Sequence, residues 1–181
     1  MALKATIFKA QLQVSNIDSA YYANHSLTLA RHPSETDERM MVRLLAFALH
    51  ASEQLQFTRG LCVDDEPDLW EKDLSDRILL WIEAGLPDER RIRKACARAE
   101  RVVIYAYGGH QAELWWQRTA PDLKRFVNLE VVNLSRAATQ ALAGLANRGM
   151  ALQCTVQEGQ IWLSDEKTTV LVEPQIWRPA Q

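Results

Sequence analysis

Only three of the 181 residues are cysteine, Cys62, Cys96 and Cys154, far apart and in no Cys-x-x-Cys spacing. That excludes a disulfide framework and gives no support to a zinc site. The thiols read as small buried residues of a reducing compartment. Glycine is also scarce, at seven residues, and no glycine-rich phosphate loop is present. Nor is there an order signal for a Ser-His-Asp triad. No apolar run approaches the roughly 20 residues of a membrane helix, and Met-Ala-Leu-Lys-Ala-Thr at the start carries no secretory pattern. The expectation is a cytoplasmic protein with no membrane partner. An excess of one charge is missing as well: 21 Lys and Arg stand against 23 Asp and Glu, a formal net charge of −2. A dedicated nucleic-acid binder usually shows a basic excess. A local basic patch is still compatible with 21 cations.

Hydrophobic residues make up 48% of the chain and charged residues 24%, an ordinary globular balance. The length suits one domain, residues 1–181, able to bury about 70% of its unfolded surface. Phe8, Ala10, Leu12 and Val14 alternate with Lys9, Gln11 and Gln13, the period of a half-buried strand. Leu27 and Leu29 alternate with Ser26 and Thr28, so an antiparallel hairpin over residues 3–31 follows, turning near Asn16 and Asp18. Pro33 stops it, and Ser34 or Thr36 can cap a helix. Met41, Leu44, Leu45, Ala48, Leu49 and Leu55 then predict an amphipathic helix over 36–56.

After Gly60 the chain turns acidic, Asp64 to Asp68 around Pro67. Ile78 to Ile82 is a short apolar run that suits a buried strand. Asp88 can cap a helix with Ile92, Ala95, Cys96 and Ala99 inside and Arg90, Arg91, Arg93, Lys94 and Arg98 outside. Val102 to Tyr107 is a further strand, completing a strand-helix-strand unit. Residues 111–118 read as a helix, 129–134 as a strand and 136–146 as a helix. Strands over 151–156, 160–163 and 168–172 make an antiparallel C-terminal meander with a Glu158-Gly159 turn. The fold class is α/β with antiparallel additions at both ends.

Three carboxylates stand out. Glu38 lies at the edge of the apolar stripe of its helix, where a carboxylate needs a partner or a metal; a solvated place in the first helical turn is the plainer account. Asp68 follows Pro67 in an acidic stretch that can equally be a surface loop. Glu83 ends an apolar strand, on the face of Leu79 and Trp81, at the strand end where open α/β sheets place functional groups; the strand emerging into solvent is the alternative. The spacing of Asp68 and Glu83 fits two adjacent strands of a hairpin, with Glu38 coming from a helix packed on that sheet. Such a set suits Mg²⁺ or Mn²⁺, which can polarise a phosphodiester.

The order Glu38, Pro67-Asp68, Glu83-Ala84-Gly85, helix, strand resembles the PD-(D/E)XK nuclease core. Longer strings, Leu27-Thr28-Leu29-Ala30-Arg31-His32-Pro33-Ser34-Glu35-Thr36, Trp81-Ile82-Glu83-Ala84-Gly85-Leu86-Pro87-Asp88-Glu89-Arg90-Arg91-Ile92 and Ile161-Trp162-Leu163-Ser164-Asp165 among them, resemble the bacterial YaeQ family over essentially the whole chain. The resemblance implies a restriction-endonuclease-like core with a mixed sheet. The likeness of the carboxylate order to the PD-(D/E)XK core, rather than to YaeQ, implies a metal site at Glu38, Asp68 and Glu83 and, as the expected activity, metal-dependent phosphodiester hydrolysis on nucleic acid. One departure stands against it: Gly85 occupies the place of the pattern's lysine, which stabilises developing negative charge. Arg91 or Lys94 from the following helix could supply that cation, or could form a solvated basic face. The alternative is a non-catalytic module that binds nucleic acid or a protein partner.

Lesser candidates are His32, His110, Arg31 and Arg59 as phosphate contacts, with turn caps and salt bridges as the plain options. Trp115 or Trp116 could stack a base, one of the two being core, and Trp162 and Trp177 read as sheet packing.

Overall fold

The computed structural model describes residues 3–179 and 181; the side chain of Cys62, expected to be buried, lies outside the described residues. In chain order the elements are β1 (Thr6–Asn16), β2 (Tyr21–Arg31), α1 (Asp37–Leu49), β3 (Leu55–Phe57), β4 (Leu69–Lys72), β5 (Ile78–Ala84), α2 (Glu89–Arg98), β6 (Ala99–Ala106), α3 (His110–Leu123), β7 (Leu129–Asn133), α4 (Arg136–Ala143), β8 (Gly149–Gln157), β9 (Gln160–Ser164), β10 (Thr169–Val172) and β11 (Gln175–Arg178). A 3-10 turn covers Gly60–Cys62. The architecture is mixed α/β with two mixed sheets. No described helix is long and apolar enough to cross a membrane. Two compact units form, one from Met1–Ala51 and Ala137–Pro174, the other from Ser52–Arg136 and Gln175–Gln181.

The first unit holds a five-stranded sheet in the order β10-β9-β8-β1-β2. β1 and β2 form the expected hairpin, Leu12 opposite His25, with Phe8, Ala10, Leu12 and Val14 buried as their alternation requires. β8, β9 and β10 form the expected antiparallel meander. Its turn residues Glu158 and Gly159 both take positive φ, 52° and 74°, the conformation of a two-residue hairpin loop. Asp18 accepts both their backbone N–H groups at 2.7 and 3.0 Å, tying the two hairpin turns together. The parallel pairing of β1 with β8 joins hairpin and meander. α1 is capped by Thr36, whose Oγ1 accepts the Arg39 N–H at 3.1 Å. It ends at Leu49, not at residue 56: the Ser52 hydroxyl accepts the Leu55 N–H at 3.1 Å and Leu55 pairs with Glu71 in a sheet. Cys154 is buried here, its thiol pushed up to about 12 by burial, and is inert.

The second unit holds a six-stranded sheet, β11-β7-β6-β5-β4-β3. β5, β6 and β7 run parallel, flanked by antiparallel strands on both sides. The predicted strand-helix-strand unit is β5-α2-β6, with Asp88 capping α2 by accepting the Arg91 N–H at 2.8 Å. α3 runs on to Leu123, past the expected end at 118, with Pro121 inside it. β11 was not anticipated. It covers the edge of β7 and brings Trp177 onto Trp116, ring centroids 5.6 Å apart. Trp115 is core; Trp116 is half-buried in that stack rather than open to a base. Trp162 is half-buried on the less buried face of β9, between Thr155 and Leu171 of the neighbouring strands.

Candidate functional site

Pairing of Leu69 with Ile82 and Trp70 with Trp81 sets Asp68, one residue before β4, opposite Glu83 near the end of β5. The Asp68 backbone N–H donates to the Ile82 carbonyl at 3.0 Å, and its Oδ2 accepts the Ala84 N–H at 2.7 Å. Both carboxylates are buried, 2% and 5% exposed. Glu83 Oε1 accepts the Trp81 indole N–H at 2.8 Å and the Arg91 Nε–H at 2.9 Å. Burial above all, then the charge of Asp68, pushes the Glu83 carboxyl up to about 7, against the pull of Arg91 and the two hydrogen bonds. The two strand carboxylates singled out in the sequence are therefore brought together, and at neutral pH one of them sits at its titration point.

Arg91 reaches this pair from the first turn of α2. Its remaining guanidinium nitrogens donate to the Asp64 carbonyl at 3.1 Å and the Glu66 carbonyl at 2.8 Å. Lys94 does not join it: its ammonium pairs with Asp65, and Arg98 donates to the Asp65 carbonyl at 2.8 Å. Arg59 pairs with Glu66 at 2.7 Å. The basic face of α2 is thus largely engaged by the acidic loop, and Arg91 alone of its cations contacts Glu83. Thr58 and Gly60 shape the loop's other end. The Thr58 hydroxyl donates to the Pro67 carbonyl, and Gly60, at φ +57°, passes with its Cβ position 3.7 Å from Asp68 Oδ1.

Glu38 belongs to the first unit. It is half-buried, and its Oε1 accepts the Thr139 hydroxyl at 2.6 Å. Within neither unit do three or more described His, Cys, Asp or Glu side chains gather as a metal-holding group. The donor chemistry of Asp68 and Glu83 nonetheless fits a hard divalent cation, since Mg²⁺ is often held by one or two carboxylates with waters and substrate phosphates completing its shell. A carboxyl raised to neutrality is also one that gains most from a cation beside it.

The other candidates take their plain roles. His32 Nδ1 lies 2.6 Å from the Ser34 hydroxyl in a turn. His110 is exposed, 3.4 Å from Glu113, and Arg31 pairs with Asp37. What the sequence reading missed is Glu35, buried and held by Arg43 at 2.7 and 2.8 Å and by Arg39 at 2.9 Å. Its spacing of four and eight residues to the two arginines was the available signal.

The YaeQ protein family model matches residues 1–174. Relatives named "Uncharacterized protein YaeQ" in Escherichia coli (strain K12) and Salmonella typhi are 50% and 48% identical over 178 residues, 98% of each chain. The crystal structure of YaeQ protein from Xanthomonas axonopodis pv. citri superposes with a TM-score of 0.94 at 49% identity, over 96% of this chain and 98% of that one. That of YaeQ protein from Pseudomonas syringae gives 0.93 at 37% identity, over 97% of each. Both sequence and fold thus match along nearly the full length, and the chain belongs to the YaeQ family.

Proposed function

We propose that this chain is a cytoplasmic, divalent-metal-dependent phosphodiesterase with a PD-(D/E)XK nuclease-like core, acting on nucleic acid. The observation that supports this best is the buried Asp68–Glu83 pair across β4 and β5, with the Arg91 guanidinium 2.9 Å from Glu83. Asp68 and Glu83 would hold Mg²⁺ or Mn²⁺; when bound, the ion supplies Lewis-acid stabilisation to a phosphoryl oxygen. Beside a bound cation Glu83 would be held in its ionised form, and Trp81 and Arg91 fix the orientation of its Oε1. Arg91 takes the place of the lysine that Gly85 replaces, offering fixed positive charge beside the reacting group. Lys94, held by Asp65, has no such part.

The test is cleavage of single- and double-stranded DNA and RNA with Mg²⁺ or Mn²⁺. Activity that falls at least about a hundredfold in Glu83→Gln supports the reading; activity that survives the substitution comes from elsewhere. A second reading rests on Gly85 and on the three bonds that already engage Arg91: a non-catalytic module that binds nucleic acid or a protein. Binding without cleavage at any metal concentration selects it.

A further inference from the structure

The side of the five-stranded sheet that does not carry the core is built as rows. Asn24 pairs with Gln13, Gln13 with Gln153, and Gln153 with Ser164. One uncharged hydrogen-bonding side chain therefore follows another across four adjacent strands. These four side chains make no hydrogen bond among the described residues, so their donors and acceptors are open to a ligand. They line a groove of about 640 Å³, together with Asp165 and Glu166. The next row along the strands runs Tyr22, Ser15, Thr155, Trp162, Leu171, with Tyr22 63% exposed at one side and half-buried Trp162 towards the other.

From this arrangement we infer that the groove is a binding site for a neutral oligosaccharide laid across the strands. Carboxamides present a donor and an acceptor in one plane, which is what ring hydroxyls, each donor and acceptor, require. Strands stand about 4.8 Å apart, close to the length of one sugar ring, so successive side chains of the row meet successive rings. Trp162 and Tyr22, in the neighbouring row, supply aromatic surface of the kind that packs against the apolar face of a pyranose. Charge disfavours a polyanion in the groove itself. The groove lining contains no Lys or Arg, and its two carboxylates would repel a phosphate backbone while accepting hydroxyls. A nucleic acid needs a basic groove. This site lies wholly in the first unit and is independent of Asp68 and Glu83.

The experiment is an amide NMR titration of the full-length ¹⁵N-labelled chain. Its panel is maltohexaose, cellohexaose, xylohexaose and N-acetylchitohexaose, with a deoxythymidine decamer as the anionic control. At least one neutral glycan is expected to shift the amides around Gln13, Gln153 and Ser164 with Kd at or below about 1 mM. The double variant Gln13→Ala, Gln153→Ala is expected to bind at least about tenfold more weakly while keeping the dispersion of a folded chain. The assignment is overturned if no glycan moves these amides, or if the double variant binds as well as the parent. It is overturned equally if only the decamer moves them, which would make the face a nucleic-acid surface. Shifts that follow protein concentration alone would overturn it too, making the face a self-association surface.

Discussion

Gly85 follows Glu83 by two residues and has φ +116°, with its N–H donating to the Tyr105 carbonyl at 2.9 Å. No atom lies within 4 Å of where a Cβ would stand. A side chain there meets no wall, yet the backbone is one that L residues rarely adopt. Gly85→Ala is therefore expected to cost about 1–3 kcal/mol by backbone strain alone, measured by urea unfolding. Gly85→Lys should cost as much without restoring a nuclease lysine, because the chain has already left the strand geometry that aims one. Glu83 gives a second prediction. Its carboxyl is raised from 4.5 to about 7, so the folded state binds the proton more tightly than the unfolded chain does. Stability from this group is fully present below about pH 4.5 and is lost as pH rises through 7. The excess stability of Glu83→Gln over the parent should grow across that window, to at most about 3 kcal/mol, in paired denaturant titrations between pH 5 and 8. His25, lowered by burial, has the opposite slope and cancels in the difference. Of these residues the sequence displayed Glu83 clearly, since its strand is short, apolar and bounded by breakers. It could not separate Arg91 from Lys94, because the acidic loop at residues 64–66 decides which of them is free to reach Glu83.

At the scale of elements, hydrophobic period found the helices and most of the strands, though not β3 or β11, and tertiary context set their ends. α1 was read through to residue 56 because Leu55 continued an apolar pattern and no glycine or proline intervenes. The helix is capped at His50, whose N–H donates to the Ala46 and Phe47 carbonyls, and a Ser52 turn and strand pairing follow; neither leaves a periodic trace. β11 was missed because four residues after a proline, on a sheet edge, carry no alternation of burial. Glu35, in the turn before α1, forms an ionic group with Arg39 and Arg43 of the helix, which amphipathic counting could not show because it treats charged residues as solvated. Arg43 is 3% exposed and Glu35 7%. Arg43→Ala leaves Glu35 buried with only part of its compensation, and an expected loss of about 3–5 kcal/mol follows, read from the urea midpoint at constant m. The double change Glu35→Leu, Arg43→Met should recover most of that loss, since removing both charges also removes the desolvation penalty.

Each of the two units is assembled from separate stretches of chain. The parallel pairing of β1 with β8 could not be read from alternation, which shows that a strand is half-buried and says nothing about its neighbour. Charge, by contrast, is a whole-molecule quantity the sequence states directly, and it bounds how the protein can meet a polyanion. The net charge is −2. On α2, the most basic helix, Arg91 and Lys94 are paired with acidic side chains and Arg98 with a loop carbonyl. Each phosphate neutralised by a free cation contributes about −0.9 to the slope of log K against log salt on duplex DNA. With most of the α2 cations engaged, binding to duplex DNA should show a slope of only about −1 to −3, measured by fluorescence anisotropy between 50 and 300 mM KCl. Asp65→Asn should steepen the slope by about 1, because it frees the Lys94 ammonium to meet a phosphate. A slope of about −6 or steeper for the parent chain would mean that a basic surface other than α2 carries the contact. A slope unchanged in Asp65→Asn would place Lys94 outside it.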